Sequence, residues 1–150
     1  MADKLAGLGV EVELPDGWDG RIYRRANEGS AGERRALHAA NFALPADRGD
    51  YGGGVHEQMG DEDVFVTLVE FHPDNSNQGL FRRQGLPLPV TADAFSPRAM
   101  PRPIPGQAGA QYFFSLGQRA FCLFVVIGSY ADRERLARQA NTVVQSISVQ

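Results

Sequence analysis

Three segments that are apolar on both strand parities govern what this chain can become. VFVTLVEF (64–71) sets Val64, Val66 and Leu68 on one side and Phe65, Val69 and Phe71 on the other. AQYFFSL (110–116) and RAFCLFVVIG (119–128), separated by Gly117-Gln118, share this character and read as a tight hairpin. A strand covered on both sides is central in its sheet. The fold must therefore supply two covers for one sheet.

One cover is legible at the C-terminal end. Ser129-Tyr130-Ala131-Asp132 has the capping-box spacing, in which hydroxyl and carboxylate satisfy each other's amide donors. Leu136, Ala140, Val143, Val144 and Ile147 then recur as a helical apolar stripe suited to packing on a sheet. Arg133, Arg135 and Arg138 fall mostly off that stripe, toward solvent, and SISV (146–149) reverts to an extended end. The second cover has to come from 72–109. That segment carries no helical pattern but supplies Leu80, Phe81, Leu86, Leu88, Phe95, Met100 and Ile104. Six of the nine prolines fall between 87 and 105, which predicts an ordered, proline-stiffened lid.

Upstream, VEVEL (10–14) alternates as a half-buried strand does and ends at the Pro15-Asp16-Gly17 turn. GRIYRRA (20–26) reads as a second strand, with Ile22 and Tyr23 facing opposite ways; NEGSAGERRA (27–36) reads as a polar loop or short helical turn. LHAANFAL (37–44) reads as a strand closed by Pro45, followed by turn residues at 47–54 and 60–63. The expectation is a single α+β domain over 1–150. Its sheet is mainly antiparallel, with a C-terminal amphipathic helix on one face and a long proline-rich loop covering the other.

Composition narrows the functional classes. Hydrophobic content of 43% and charged content of 22% are ordinary globular values. No apolar run approaches the ~18 residues of a membrane helix, and the first residues, MADKLAGLGVEVELPDGW, show no apolar core of a signal peptide. A cytoplasmic location is expected, with an envelope-associated one as the alternative if a targeting segment has been removed. Cys122 is the sole cysteine, so no internal disulfide forms. Fourteen arginines stand against one lysine, a bias that GC-rich coding produces. Residues 1–75 carry fifteen acids and seven bases, whereas 76–150 carry three acids and eight bases. Such asymmetry points to an interaction surface.

Chemistry-bearing motifs are sparse. His56-Glu57 begins like the zinc signature His-Glu-x-x-His, but position 60 is Gly60 and the motif fails. A looser set of His56, Glu57, Asp61, Asp63 and His72 would suit a first-row metal, except that the strand between Asp63 and His72 spans roughly 25 Å. The bland reading is a solvated acidic loop that keeps an apolar strand soluble. Gly52–Gly54 lacks any phosphate-loop spacing and reads as a positive-φ turn. Cys122 shares a parity with Phe124 and Val126 and reads as a small buried hydrophobe. There is no Gly-x-Ser-x-Gly elbow. Trp18 reads as a core plug, and His38 as a hydrogen-bonded structural histidine.

Residues 82–107 hold Arg82, Arg83, Arg98 and Arg102 against the single acid Asp93. Such a surface suits an acidic partner through charge-assisted pairs. Little aromatic interleaving and an acidic whole argue against nucleic acid.

The early strand ending in LPDGW, the YFFSLGQRAFCLFVV hairpin, the final amphipathic helix and the closing S-x-S-V together resemble the Mog1/PsbP-like α/β-sandwich group. The likeness covers mainly 10–18 and 110–149. It implies an antiparallel sheet between helical layers and a non-catalytic binding or assembly-assisting role, and it carries over no functional residue. The proline-rich middle departs from that pattern.

The functional expectation is a non-catalytic protein-interaction or assembly module. Glu57, Asp61, Glu62 and Asp63 would form an acidic contact surface, and Arg82, Arg83, Arg98 and Arg102 a basic one. Its partner would be another protein or a second copy. No cofactor, nucleic acid or transmembrane segment is expected. The alternative is a small metal-dependent hydrolase or binding enzyme built on His56, Glu57, Asp61 and Asp63.

Overall fold

A computed structural model describes residues 3–26, 33–45, 55–100 and 102–150. In chain order the strands are β1 (Asp3–Gly7), β2 (Val10–Leu14), β3 (Asp19–Ala26), β4 (Glu33–Ala40), β5 (Val64–Phe71), β6 (Ala108–Leu116), β7 (Arg119–Ile127) and β8 (Ser148–Val149); α1 is Arg133–Val144. Of the two-sided strands, β5 and β7 lie inside a five-stranded antiparallel sheet ordered β3-β4-β5-β7-β6, whereas β6 is an edge strand; a smaller sheet runs β1-β2-β8. The fold is α+β, with two antiparallel sheets and one C-terminal helix.

Register assigns the two faces. Leu37, Ala39, Val64, Val66, Leu68, Leu123, Val125 and Ile127 pack in one core with Leu136, Ala140, Val143 and Val144 of α1 and with Val10, Val12 and Leu14 of β2. The helix and the small sheet together cover this face. On the opposite face, Ala40, Phe65, Phe124 and Val126 pack with Val55 and Met100, and Phe42, Leu44 and Met59 join from the side. Phe81 closes the far end of that face against Phe71 and Phe113, at ring distances of 5.2 and 5.5 Å. Each such fully buried Phe or Leu contributes about 2 kcal/mol.

The proline-rich segment does more than cover a face. It runs along β6, which would otherwise be an open edge, and bridges it at Gln84–Ser115 and Ser96–Gly109. Phe81 and Met100 reach the face opposite the helix, while Val90 and Phe95 turn onto the helix side. There Asn141 holds the Val90 backbone: its Oδ1 accepts from the Val90 amide and its Nδ2 donates to the Val90 carbonyl, at 2.7 Å each. Capping an edge strand in this way removes a template for unwanted strand pairing.

Several expectations change in detail. The strand read at 37–44 is Glu33–Ala40 instead. Asn41 ends it, because its side chain accepts from the Val64 amide and donates to the Glu62 carbonyl. Residues 33–36 therefore belong to a strand and not to the polar loop; 27–32 and the turn at 47–54, with Gly52–Gly54, lie outside the described residues. Leu80 and Leu88, expected to cover the sheet, are 68% and 40% exposed. Only one arm of the capping box forms: the Asp132 amide donates to Ser129 Oγ, while the Asp132 carboxylate pairs with Arg135. β1 was not anticipated. It pairs with β2 through a two-residue turn, Leu8-Gly9, at φ 54° and 78°, whose twist suits a hairpin.

Candidate functional site

The acidic loop does not gather into one site. His56 opens a single 3₁₀ turn, His56–Gln58, and its ring faces inward, 5.9 Å from Phe65 and 6.3 Å from Phe124. Glu57 points outward and takes a 3.0 Å bond from Arg102. Asp61 and Glu62 are exposed, and Glu62 pairs with Arg135 of α1 at 2.7 Å. Asp63 accepts from the Gly60 amide at 2.8 Å, closing the turn into β5. Beside it, Gly128 abuts the Gly60 carbonyl so closely that no Cβ would fit. The donors of the metal alternative thus diverge: His56 is in the core, Glu57 is at the surface, and Asp63 is engaged by its own turn. Among the described residues no three His, Cys, Asp or Glu side chains are grouped to hold a metal. His72 sits at the other end of β5, accepting from the Asp74 amide.

The arginines divide into two groups. Arg98 and Arg102 lie near the Ser96–Gly109 bridge, where Arg102 is already paired with Glu57. Arg82 and Arg83 lie near the Gln84–Ser115 bridge. The two bridges, at Gly109 and Ser115, are six residue steps apart along β6, roughly 20 Å at ~3.3 Å per residue. The expected basic surface is therefore two places, and one of them meets the acidic loop within the same molecule. Arg82 and Arg83 are exposed, and neither pairs with a carboxylate among the described residues.

The turn carrying Arg82 and Arg83 is fixed from beneath. Ser115, fully buried on β6, donates to the Phe81 carbonyl at 2.7 Å and accepts from the Asn77 amide at 2.9 Å. Its own backbone bonds the Arg83 carbonyl and the Gly85 amide. Asn77, at φ 63°, donates to the Gly117 carbonyl and accepts from Gln84 Nε2. A 3₁₀ turn, Gly79–Phe81, then points Phe81 into the core and leaves Leu80 outside. The tip thus presents one large apolar side chain beside two exposed arginines on a backbone with little freedom. Arg83 also stands close to Tyr112: burial pushes the Tyr112 hydroxyl above its usual range, and the Arg83 charge opposes that shift.

Two interior groups, His38 and Cys122, have contacts typical of structural residues. His38 is fully buried between Tyr23, whose hydroxyl lies 3.2 Å from Nε2, and Arg21, 3.5 Å from Nδ1. Cys122 is fully buried beside Phe124 and Val126, as its parity predicts, and takes a weak 3.6 Å contact from Gln111. Trp18 packs half-buried against the core. Reading along the chain missed Arg119. It grips Glu70 with two bonds of 2.8 and 2.7 Å and donates to the carbonyls of Leu8, Gly9 and Gln150. The Glu70 bond raises the Arg119 pKa further above its already high value. Beside this clamp a shallow open recess, with a cavity volume of only about 10 Å³, is lined by Leu8, Val10, Ile22, Leu37, Leu68 and Phe121. It is mostly apolar, and Glu70 at its wall is already neutralised by Arg119.

Among the described residues no helix is long and apolar enough to cross a membrane. No family model, curated protein or solved structure matches the chain.

Proposed function

We propose that this chain is a non-catalytic protein-interaction or assembly module that acts in the cytoplasm. The observation that carries this reading is a contrast in how reactive and charged groups are placed. His38, His56 and Cys122 are all buried, and His38 and His56 both pack their rings against Phe65. A firmly held turn outside carries Leu80, Arg82 and Arg83 unburied. General acid–base or nucleophilic catalysis needs such groups open to a substrate. An interaction module needs the opposite, a packed interior and a rigid exposed feature. The resemblance to the Mog1/PsbP-like group, with its implied binding role, points the same way.

Of the two contact surfaces expected, the basic one bears the greater weight here. Glu57 and Glu62 are engaged within the molecule by Arg102 and Arg135, whereas Arg82 and Arg83 are available. Size-exclusion chromatography of a gentle extract from the native host, at low and high salt, tests the reading. The chain is expected to elute in a larger assembly at low salt and to shift toward the free chain as salt rises. Elution as a free monomer at every ionic strength would overturn it.

A further inference from the structure

We infer that the turn spanning residues 77–85 is the binding element and that its occupant is a segment of another protein bearing an apolar socket rimmed by carboxylates. This rests on the interaction-module reading and specifies its partner.

Three observations converge on the turn. The first is Leu80, at 68% the most exposed of the large apolar side chains in the described residues. A lone exposed leucine is unremarkable, but this one follows a glycine at φ 54° and precedes the buried Phe81. The backbone at that point is set by Phe81 and Ser115 beneath, so Leu80 is displayed rather than merely left over. The second is charge. Arg82 and Arg83 follow it after Phe81, exposed and without a carboxylate among the described residues, although the molecule as a whole is acidic. Guanidinium forks left open in an acidic protein are complementary to carboxylates brought by a partner.

The third observation is rigidity. Binding through a loop costs the entropy of ordering it, and a loop already ordered avoids most of that cost. Here the buried Ser115 hydroxyl, the Asn77–Gly117 and Gln84–Asn77 bonds and the main-chain bridge at Ser115 fix the turn before any partner arrives. Arginine is among the residues enriched at interface hot spots. An anionic bilayer is a poorer fit. Two arginines and one leucine give weak membrane attachment, and the protein's net charge of −3 opposes it.

The test is site-specific photocrosslinking of the full chain in its native host. A photoreactive phenylalanine replaces Gln78, which is exposed beside the tip and leaves Leu80, Arg82 and Arg83 intact; a control places it at the exposed Glu13 on β2. The expected result is an adduct from position 78 to a partner-protein peptide with at least two carboxylates near the linked residue. Its yield should fall about tenfold in Leu80→Asp and in Arg82→Glu/Arg83→Glu, as loss of a hot-spot contact requires. Thermal melting of each purified variant should match wild type, so that misfolding does not explain the loss. Adducts from Glu13 alone would overturn the turn assignment while leaving the module reading intact. An adduct from position 78 to lipid, nucleic acid or a second copy of this chain would overturn the named occupant. No adduct from either position, in an extract where the chain elutes as a free monomer, would remove both readings.

Discussion

Two neighbouring turns use arginine in opposite ways. The β6–β7 turn and the 77–85 turn touch, since Asn77 donates to the Gly117 carbonyl. Arg119, just past the first turn, spends its guanidinium inward on Glu70, on the Leu8-Gly9 turn and on the Gln150 carbonyl. Arg82 and Arg83, at the end of the second, turn theirs to solvent. One arginine ties three distant pieces of chain together, and the other two contribute little to the fold. The contrast separates residues kept for stability from residues available for contact, and it can be broken experimentally.

The largest effect belongs to Arg119. Glu70 and Arg119 side chains are only 11% and 20% exposed. Removing the cation leaves a nearly buried carboxylate unpaired and frees a turn that holds Leu8 at φ 54°. Arg119→Ala should cost about 3 kcal/mol, the low end for breaking a buried pair, measured by urea unfolding. Gly9→Ala should also destabilise the chain, because its new Cβ would lie 2.9 Å from Arg119 Nη1 at a φ that favours glycine. Next comes Ser115→Ala, which leaves the Phe81 carbonyl and the Asn77 amide without their partner. About 2 kcal/mol of stability should be lost, and amide exchange should quicken across 77–85 with β3 and β4 unchanged.

How much of this was legible depended on whether the information was local. VFVTLVEF, the 110–128 hairpin and the α1 stripe announce themselves because their pattern is their own periodicity. Arg119 does not, since its partners lie 49 residues away at Glu70 and 111 away at Leu8. DKLAG (β1) has no alternation to read; it is a strand because β2 offers it a partner. The apolar identity of Leu80 and Leu88 suggests cover for the sheet but says nothing of direction, and both face solvent. The arginines of 82–102 were legible as charge, but not that β6 would hold them in two separate groups. Nor does sequence show that Glu57 would reach Arg102 across 45 positions.

Smaller effects sharpen the comparison from the weak side. The Glu57–Arg102 pair is exposed on both partners, so Arg102→Ala should change stability by less than about 0.5 kcal/mol by thermal melting. Tyr112 gives the pH arm. Burial raises its folded-state pKa above the ordinary 10.0, so the folded protein holds that proton more tightly than the unfolded chain. The associated stability is fully present below pH 10 and is lost as pH rises through the higher folded value. Tyr112→Phe should therefore flatten the alkaline limb of a stability-versus-pH curve.

The most direct measurement takes Arg82→Glu/Arg83→Glu and reads two quantities on one variant: the thermal midpoint of the purified chain and its elution from a native extract. The account predicts a midpoint within about 2 °C of wild type, as for a surface change below ~0.5 kcal/mol, together with loss of the larger assembly. A marked fall in the midpoint, or an assembly that survives the charge reversal, would contradict it.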